Sequence, residues 1–316
     1  MQLALWIGIF AVSLIVLIKA ADYFTEYAEK IGLLLRLSPF IVGVTIVAIG
    51  TSIPELASGI IAALKGGVYT AYISENVIGS NIANIFLVVG LGAFLGGALF
   101  VKRNLIHIDL PILALTTTLF LVFVMWDGKL ARYEAFLLLL SYGVYLWYVL
   151  THRNETEGSK NKIKKEKWSW KIPLIMILSV VAIYYGAKYT IDSVLTVSQL
   201  LGINSALLVM TVVAFGTSLP ELTVTIMAVR KKDYEVALGN VFGSNIFNAT
   251  MVVGITGLIS PLVISKSTML VGLPFLGIAT LLYFISAMDR EVKNYEGAMF
   301  LLMYIAFVIS LITLSV

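Results

Sequence analysis

The chain has 316 residues, of which 59% are hydrophobic and 13% are charged. Soluble domains carry about twice that share of charged residues, so the composition predicts a protein that crosses a membrane many times. The formal net charge of +4 does not indicate a nucleic-acid partner, because the basic residues fall in loops beside apolar segments. The absence of cysteine excludes disulfides and thiolate metal sites, and His107 and His152 lack the spacing of a zinc site.

Apolar runs of about 17 to 25 residues have the length of a membrane-spanning helix. Ten runs qualify as candidate spans, and the first is interpreted as a span rather than as a removed signal peptide. The second, third, seventh and eighth runs are long, so we expect them to be tilted or broken. The ten candidates are 3–19, 38–64, 71–98, 106–126, 131–151, 171–190, 203–229, 235–260, 267–287 and 295–315.

The sequence divides into two similar halves. Residues 19–55 align without a gap with residues 185–221 at an offset of 166, which becomes 164 after the following turn. A polar cytoplasmic linker, 152–170, is predicted to separate a first repeat of five helices, 1–151, from a second, 171–316. Because each repeat has an odd number of spans, the second repeat enters the membrane from the opposite side. The sequence therefore predicts an all-α polytopic membrane protein with ten transmembrane helices in two inverted repeats.

The basic residues predict the orientation in the membrane. If the linker lies in the cytoplasm, 17 of the 22 lysines and arginines fall on the cytoplasmic side. This asymmetry satisfies the positive-inside rule and predicts a multi-pass protein of the cell membrane with both termini outside. The remaining five, on the predicted outer side, are Lys65, Lys129, Arg132, Lys188 and Lys266.

One pair of motifs occurs in each half. The first half reads GTSIPE at 50–55 and GSNIAN at 79–84, and the second reads GTSLPE at 216–221 and GSNIFN at 243–248. Each first motif places a carboxylate beside a proline inside an apolar segment. A carboxylate in a membrane is costly and marks a candidate functional site, and two in matching contexts suggest one shared site for a cation.

The prolines explain how backbone oxygens could join such a site. Proline lacks a backbone donor and clashes with the carbonyl four residues earlier, so the helices are predicted to bend at Pro54 and Pro220. Exposed carbonyls at membrane depth are tolerated where they line a cavity. Carbonyls of 48–51 and 214–217 are therefore candidate cation ligands.

Side chains supply further oxygens at helical spacing. Pairs four residues apart share a helix face, and they are Thr51 with Glu55, Ser80 with Asn84, and Ser244 with Asn248. Asn76 and Asn240, one turn before each serine, either support the site or only bridge helices. Glu75 stands where the second half has Gly239, and we expect it to be solvated near a helix start and not to be a ligand.

The donor set favours a hard cation. Ca²⁺ takes six to eight oxygen ligands and needs carboxylates for its charge, whereas Mg²⁺ demands tighter geometry and sheds water reluctantly. Two carboxylates balance one Ca²⁺ and could be shared among several Na⁺ ions. Competition for the same oxygens would be the physical basis of exchange.

The paired motifs resemble the alpha repeats of the calcium/cation antiporter superfamily, specifically its sodium/calcium exchangers of prokaryotic type. The resemblance implies ten helices in inverted repeats and exchange of Ca²⁺ for several Na⁺ ions by alternating access at a midplane site. These transported ions would be substrates, with no cofactor and no protein partner. The ligands it implies are Glu55, Glu221, Thr51 and Thr217 for Ca²⁺, Ser52, Ser80, Ser218, Ser244 and the carbonyls of Ala48 and Ala214 for Na⁺, and the central pair Asn84 and Asn248.

Sequence differences from other branches of the superfamily indicate which ions are transported. Asn248 stands where potassium-dependent relatives carry Asp, which argues against potassium transport. The third and eighth spans lack the histidine of the proton-coupled branch, which disfavours a Ca²⁺/H⁺ exchanger. That exchanger remains the main alternative, with the glutamates as proton carriers, and a passive channel or a non-transporting scaffold is a third reading. No nucleophile–base pair, phosphate loop or metal-hydrolase motif indicates an enzyme.

Overall fold

The structure is a computed structural model that describes residues 2–34, 43–100, 109–151 and 169–315. The α-helices are α1 (Gln2–Leu34), α2 (Ala48–Thr51), α3 (Ile53–Lys65), α4 (Tyr69–Ala83), α5 (Gly90–Gly96), α6 (Asp109–Met125), α7 (Arg132–Thr151), α8 (Lys171–Leu201), α9 (Ser205–Leu208), α10 (Ala214–Thr217), α11 (Leu219–Arg230), α12 (Tyr234–Phe247), α13 (Val253–Ile259), α14 (Leu273–Ala287) and α15 (Asn294–Ser315). Short strands are β1 (Ala98–Phe100), β2 (Lys129–Leu130), β3 (Leu262–Val263) and β4 (Glu291–Lys293).

Several helices are joined by π-helical turns. These turns are Gly43–Val47, Asn84–Val89, Val209–Val213, Asn248–Val252 and Thr268–Gly272. A π turn joins α4 to α5 and another joins α12 to α13, so that each pair forms one long span. The turns at Asn84 and Asn248 begin at the last residue of the second motif in each half, 164 residues apart.

The described helices confirm a multi-pass membrane protein without confirming all ten spans. Six helices are long and apolar enough to cross a membrane, and the count reaches eight if two bent pairs are each one span. Helices α6 and α7 occupy the predicted spans 106–126 and 131–151 but do not add to that count among the described residues. Ten spans and an inverted arrangement therefore stay predictions.

The breaks at the two prolines are confirmed. Gly43–Thr51 meets Ile53–Lys65 at 50°, and Ser205–Thr217 meets Leu219–Arg230 at 42°. At the first break Ser52 leaves the helical region, with φ −88° and ψ 7°, and Pro54 lies in the first turn of α3. Proline is well tolerated there because the first N–H groups of a helix have no partner within it. Thr51 and Glu55 therefore do not share one continuous helix face, contrary to the simple spacing argument.

The second motif of each half packs against the first motif of the other half. A Cβ added at Gly79, on α4, would lie 2.6 Å from the Met210 carbonyl oxygen and 2.8 Å from Ala214 Cβ. A Cβ added at Gly243, on α12, would lie 2.5 Å from both the Val44 carbonyl oxygen and Ala48 Cβ. These related contacts hold the two halves together around the motifs.

Contacts between the halves recur at the helix ends. Strand β1 pairs antiparallel with β4, and β2 pairs antiparallel with β3, so each pairing joins one half to the other. Helix α15 approaches α5, where a Cβ at Gly297 would lie 2.7 Å from the Gly90 carbonyl oxygen. Helix α7 approaches α13, where a Cβ at Gly257 would lie 2.8 Å from Ala135 Cβ.

Two long helices, α1 and α8, cross each other beside this core. A Cβ added at Gly186 would lie 2.9 Å from the backbone nitrogen of Leu17, and the Thr190 hydroxyl donates to the Ser13 hydroxyl at 3.1 Å. Much of their remaining apolar surface is exposed, as expected for helices that face lipid. The predicted first span, 3–19, is only part of α1, whose apolar stretch runs over Gln2–Phe24.

Candidate functional site

Both motif glutamates are fully buried. Glu55 lies in the first turn of α3 and Glu221 in the first turn of α11, and each is 0% exposed. The N-terminal turn of a helix favours negative charge, because its N–H groups point outward and the helix dipole is positive there. The Oε2 atom of each carboxylate has no hydrogen-bond partner. Both halves thus present one uncompensated carboxylate oxygen inside the protein.

Hydroxyl groups link the two halves around these carboxylates. Thr51 Oγ1 lies 3.3 Å from Ser244 Oγ, and Ser80 Oγ lies 3.4 Å from Thr217 Oγ1. In each pair a threonine of the first motif meets a serine of the second motif from the other half. The predicted site residues are therefore brought together, and the pairing runs across the halves rather than within them.

Two serines bind the carboxylates directly, and a third does not. The Ser80 hydroxyl donates to Glu55 Oε1 at 3.2 Å, and the Ser52 hydroxyl donates to Glu221 Oε1 at 3.1 Å. Ser218, which corresponds to Ser52, is 2% exposed and its hydroxyl has no hydrogen-bond partner. The halves therefore match in composition but differ in this contact.

The carbonyl oxygens of both alanines face the site hydroxyls. The Thr51 and Ser244 hydroxyls lie 3.3 and 3.4 Å from the Ala48 carbonyl oxygen. The Thr217 hydroxyl lies 3.4 Å from the Ala214 carbonyl oxygen. Backbone oxygens thus lie among the hydroxyls, although each also accepts a helical N–H, from Ser52 at 3.1 Å and from Ser218 at 3.0 Å.

The asparagines of the second motifs meet at the centre of the contact. Asn84 and Asn248 are each 0% exposed. Asn84 Nδ2 donates to Asn245 Oδ1 at 3.3 Å, and Asn81 Nδ2 donates to the Asn245 backbone oxygen at 3.1 Å. The oxygen of Asn84 and both polar atoms of Asn248 have no partner. Asn81 and Asn245, which the sequence reasoning did not select, bind the halves together, and their repetition in both GSN motifs was the available signal.

Asn240 contacts residues of both first motifs and also bridges helices. Its Oδ1 lies 3.2 Å from Thr51 Oγ1, and its Nδ2 donates to the Glu221 backbone oxygen at 3.3 Å and to Thr225 Oγ1 at 3.4 Å. It therefore connects α12 to α11 and to Thr51 of the other half. The corresponding Asn76 is buried, and its Oδ1 has no partner.

The expectation that Glu75 is solvated is wrong. Its side chain is only 2% exposed, and Ser265 lies beside it. The neighbouring Ser74 hydroxyl donates to the Val263 carbonyl oxygen at 3.0 Å. The segment around β3, from the other half, therefore covers the start of α4, a long-range contact that the local sequence does not reveal.

The buried oxygens without partners define what the site can bind. Those on the predicted site residues come from carboxylate, hydroxyl and amide groups, and they are Glu55 Oε2, Glu221 Oε2, Ser218 Oγ, Asn84 Oδ1 and Asn248 Oδ1. A buried carboxylate is strongly disfavoured unless it is paired or binds a metal. Within the described ranges no cluster of three or more His, Cys, Asp or Glu side chains forms a metal site, so hydroxyl, amide and carbonyl oxygens would complete any shell.

Comparisons with known proteins show which family the chain resembles. The chain matches the family described as "Sodium/calcium exchanger protein" over residues 5–151 and 171–313. Sodium/calcium exchanger MaX1 of Methanosarcina acetivorans is 32% identical over 96% of this chain and 97% of its own length. Uncharacterized membrane protein MJ0091 of Methanocaldococcus jannaschii is 32% identical over 98% of this chain and 99% of its own length.

Solved structures show the same relationship. The sodium-calcium exchanger NCX_Mj, soaked with 2.5 mM Na⁺ and 10 mM Sr²⁺, superposes with a TM-score of 0.70 and 28% sequence identity. That match covers 96% of this chain and 98% of the solved one. The motifs, the fold and the relatives agree, and the chain belongs to the sodium/calcium exchanger family, whose members are membrane transporters and not enzymes.

Proposed function

We propose that this protein exchanges Ca²⁺ for Na⁺ across the membrane by alternating access at a site near the bilayer midplane. The observation that carries the proposal is the pair of fully buried glutamates, one from each half, surrounded by hydroxyl groups that bridge the halves. A transported cation would neutralise carboxylate oxygens that otherwise lack partners. Family membership and the similarity to MaX1, a sodium/calcium exchanger, support the same assignment.

The proposed ligands divide by charge. Glu55 and Glu221 would supply the two negative charges that balance one Ca²⁺, with Thr51 and Thr217 as neighbouring oxygen ligands. Na⁺ ions would share these carboxylates and use the serines and alanine carbonyls beside them. The proposed sodium ligands are Ser52, Ser80, Ser218, Ser244 and the carbonyls of Ala48 and Ala214. Asn84 and Asn248 would face the central position.

Alternating access would use the two similar halves. The proposed core is formed by α2 to α5 and α10 to α13, and α1 and α8 cross each other beside it. A shift of this helix pair across the core would open the site to one side and then to the other. Under the orientation predicted from the basic residues, Lys65 would lie outside and Lys231 inside.

The direct test is ion flux in reconstituted vesicles. We expect ⁴⁵Ca²⁺ to enter Na⁺-loaded proteoliposomes and to stop entering when external Na⁺ abolishes the gradient. Glu55→Gln and Glu221→Gln should each lose exchange, because either removes a charge that balances Ca²⁺. Glu75→Gln is the matched control, since Glu75 is also buried but lies beside Ser265, outside the proposed site. We expect it to retain exchange within about two-fold of the unmodified protein, because it removes no proposed ligand.

The same vesicles separate the alternatives. Uptake driven by a pH gradient and indifferent to Na⁺ would reject the sodium coupling and indicate Ca²⁺/H⁺ exchange. Flux that needs no counter-ion would indicate a channel. If net charge moves in each cycle, a potential set with K⁺ and valinomycin should bias transport by about 2.3 kcal/mol per charge at 100 mV.

A further inference from the structure

Among the described residues, an ion pair between two helices has no counterpart at the position related to it by the repeat. Lys65, the last residue of α3, forms an ion pair with Asp192 on α8. Their side chains are 26% and 27% exposed, and the Lys65 ammonium lies 4.8 Å from the centre of the Tyr69 ring. This pair ties the end of a motif helix to one of the two long crossing helices.

The repeat places the same charges at the other end of the molecule. At the offset of 166, Lys65 corresponds to Lys231 and Asp192 corresponds to Glu26. Lys231 directly follows α11 as Lys65 ends α3, and Glu26 lies on α1. In both halves, therefore, a lysine ends the helix that carries the site glutamate, and an acid lies on a long crossing helix of the other half.

Only one of these two related pairs is formed. Glu26 instead accepts a hydrogen bond from Lys30 of its own helix at 2.8 Å. The two halves also differ at the site, where the Ser52 hydroxyl donates to Glu221 but the corresponding Ser218 hydroxyl has no hydrogen-bond partner. Among the residues that the structure describes, an ion pair therefore joins the long helices to the core at the Lys65 end and not at the related end.

We propose that Lys65–Asp192 and Lys231–Glu26 are alternate latches, formed one at a time as α1 and α8 shift across the core. This inference rests on the alternating access proposed above. Formation of one pair holds the long helices against the core at that end of the molecule. The shift separates it, and Glu26 leaves Lys30 to engage Lys231. A half-buried pair is suited to this role because its modest stability allows it to break in each cycle.

The test uses the absence of cysteine from the sequence. Two double variants, Lys65→Cys with Asp192→Cys and Glu26→Cys with Lys231→Cys, place thiols at the two latches. We expect a short bifunctional thiol reagent to cross-link both variants in proteoliposomes, and to block exchange in each. In the variant with all four cysteines, a single molecule should carry one cross-link or the other and never both.

Controls separate this proposal from the exchange activity itself. Each cysteine variant is first assayed for Na⁺-dependent ⁴⁵Ca²⁺ uptake without reagent, which tests the exchanger and not the latches. If uptake is present but Glu26→Cys with Lys231→Cys never cross-links under any ion gradient, the alternate latch is refuted. Both cross-links in one molecule, or unimpaired exchange after cross-linking, would also overturn it.

Charge variants give a second test, in which the Lys65–Asp192 ion pair is altered and the yield of the cross-link at the other latch is the measurement. Asp192→Asn removes one latch and should raise the yield of the Glu26–Lys231 cross-link about three- to five-fold, as expected for a partly exposed ion pair. The exchanged pair Lys65→Asp with Asp192→Lys should restore the original yield. An unchanged yield in Asp192→Asn would show that the ion pair does not bias the two states.

Discussion

Gly243→Ala tests whether the close contact between the halves sets the geometry of the site. The new Cβ would lie 2.5 Å from the Val44 carbonyl oxygen and 2.5 Å from Ala48 Cβ. An ordinary carbon–oxygen contact is about 3.3–3.6 Å, so α12 would have to move by roughly 1 Å. The obstructing atoms are backbone and Cβ atoms, which cannot rotate away.

The expected cost follows from this overlap. Overpacking of a tight interior contact destabilises by about 1–3 kcal/mol. A movement of α12 also carries Ser244 away from Thr51 and from the Ala48 carbonyl oxygen, which now lie 3.3 and 3.4 Å from it. We therefore expect a lower midpoint of thermal unfolding in detergent and a weaker apparent affinity for Na⁺ and Ca²⁺ in the flux assay.

Gly143→Ala is the matched control, because a Cβ there meets nothing within 4 Å and Gly143 lies within α7. Alanine has the higher helix propensity, so this variant should be stabilised by about 0.5–1 kcal/mol or left unchanged. If Gly243→Ala unfolds at the same temperature as Gly143→Ala and exchanges Ca²⁺ with unchanged affinity, the close packing does not position the site.

Four further variants test individual residues. Without Na⁺ and Ca²⁺, Ser52→Ala should lower the free energy of unfolding by about 1.5–3 kcal/mol through loss of a hydrogen bond to a carboxylate, whereas Ser218→Ala should leave it nearly unchanged. In Na⁺ both variants should require more Na⁺ to drive Ca²⁺ exchange, and a sodium dependence equal to that of the unmodified protein would argue against either serine as a ligand. Asn245→Ala should destabilise by about 1–3 kcal/mol because it leaves the buried Asn84 amide unpaired, and unchanged thermal unfolding would contradict that contact. Pro54→Ala should reduce the 50° bend and slow exchange without unfolding the protein, with circular dichroism and flux as the measurements.

The sequence was sufficient to select candidate site residues because each motif occurs twice with the same internal spacing. Repetition indicated that Glu55 and Glu221 act together, and proline chemistry predicted the two breaks. The sequence did not show that Thr51 would contact Ser244 of the other half. Periodicity assigns a residue to a helix face but does not identify the helix that packs against that face.

Other features depend on contacts between distant parts of the chain. Glu75 near a helix start was expected to be solvated, but the segment around β3 covers it. The short β1–β4 and β2–β3 pairings could not be predicted because strands of two or three residues carry almost no periodic signal. The role of Asn245 as a tie between α12 and α4 likewise required its position in space.

The π-helical turns that begin at Asn84 and Asn248 have a consequence for sequence change. A π turn is usually an α-helix with one additional residue, and each residue of an α-helix rotates the chain by about 100°. Deletion of one residue within either turn would restore regular α-helix and would rotate α5 or α13 about its axis by roughly that angle. Small glycines such as Gly90 and Gly254 would then leave the neighbouring helices they now contact. Chain length between the second motif and the end of each span is therefore under tighter constraint than the identity of the apolar side chains there.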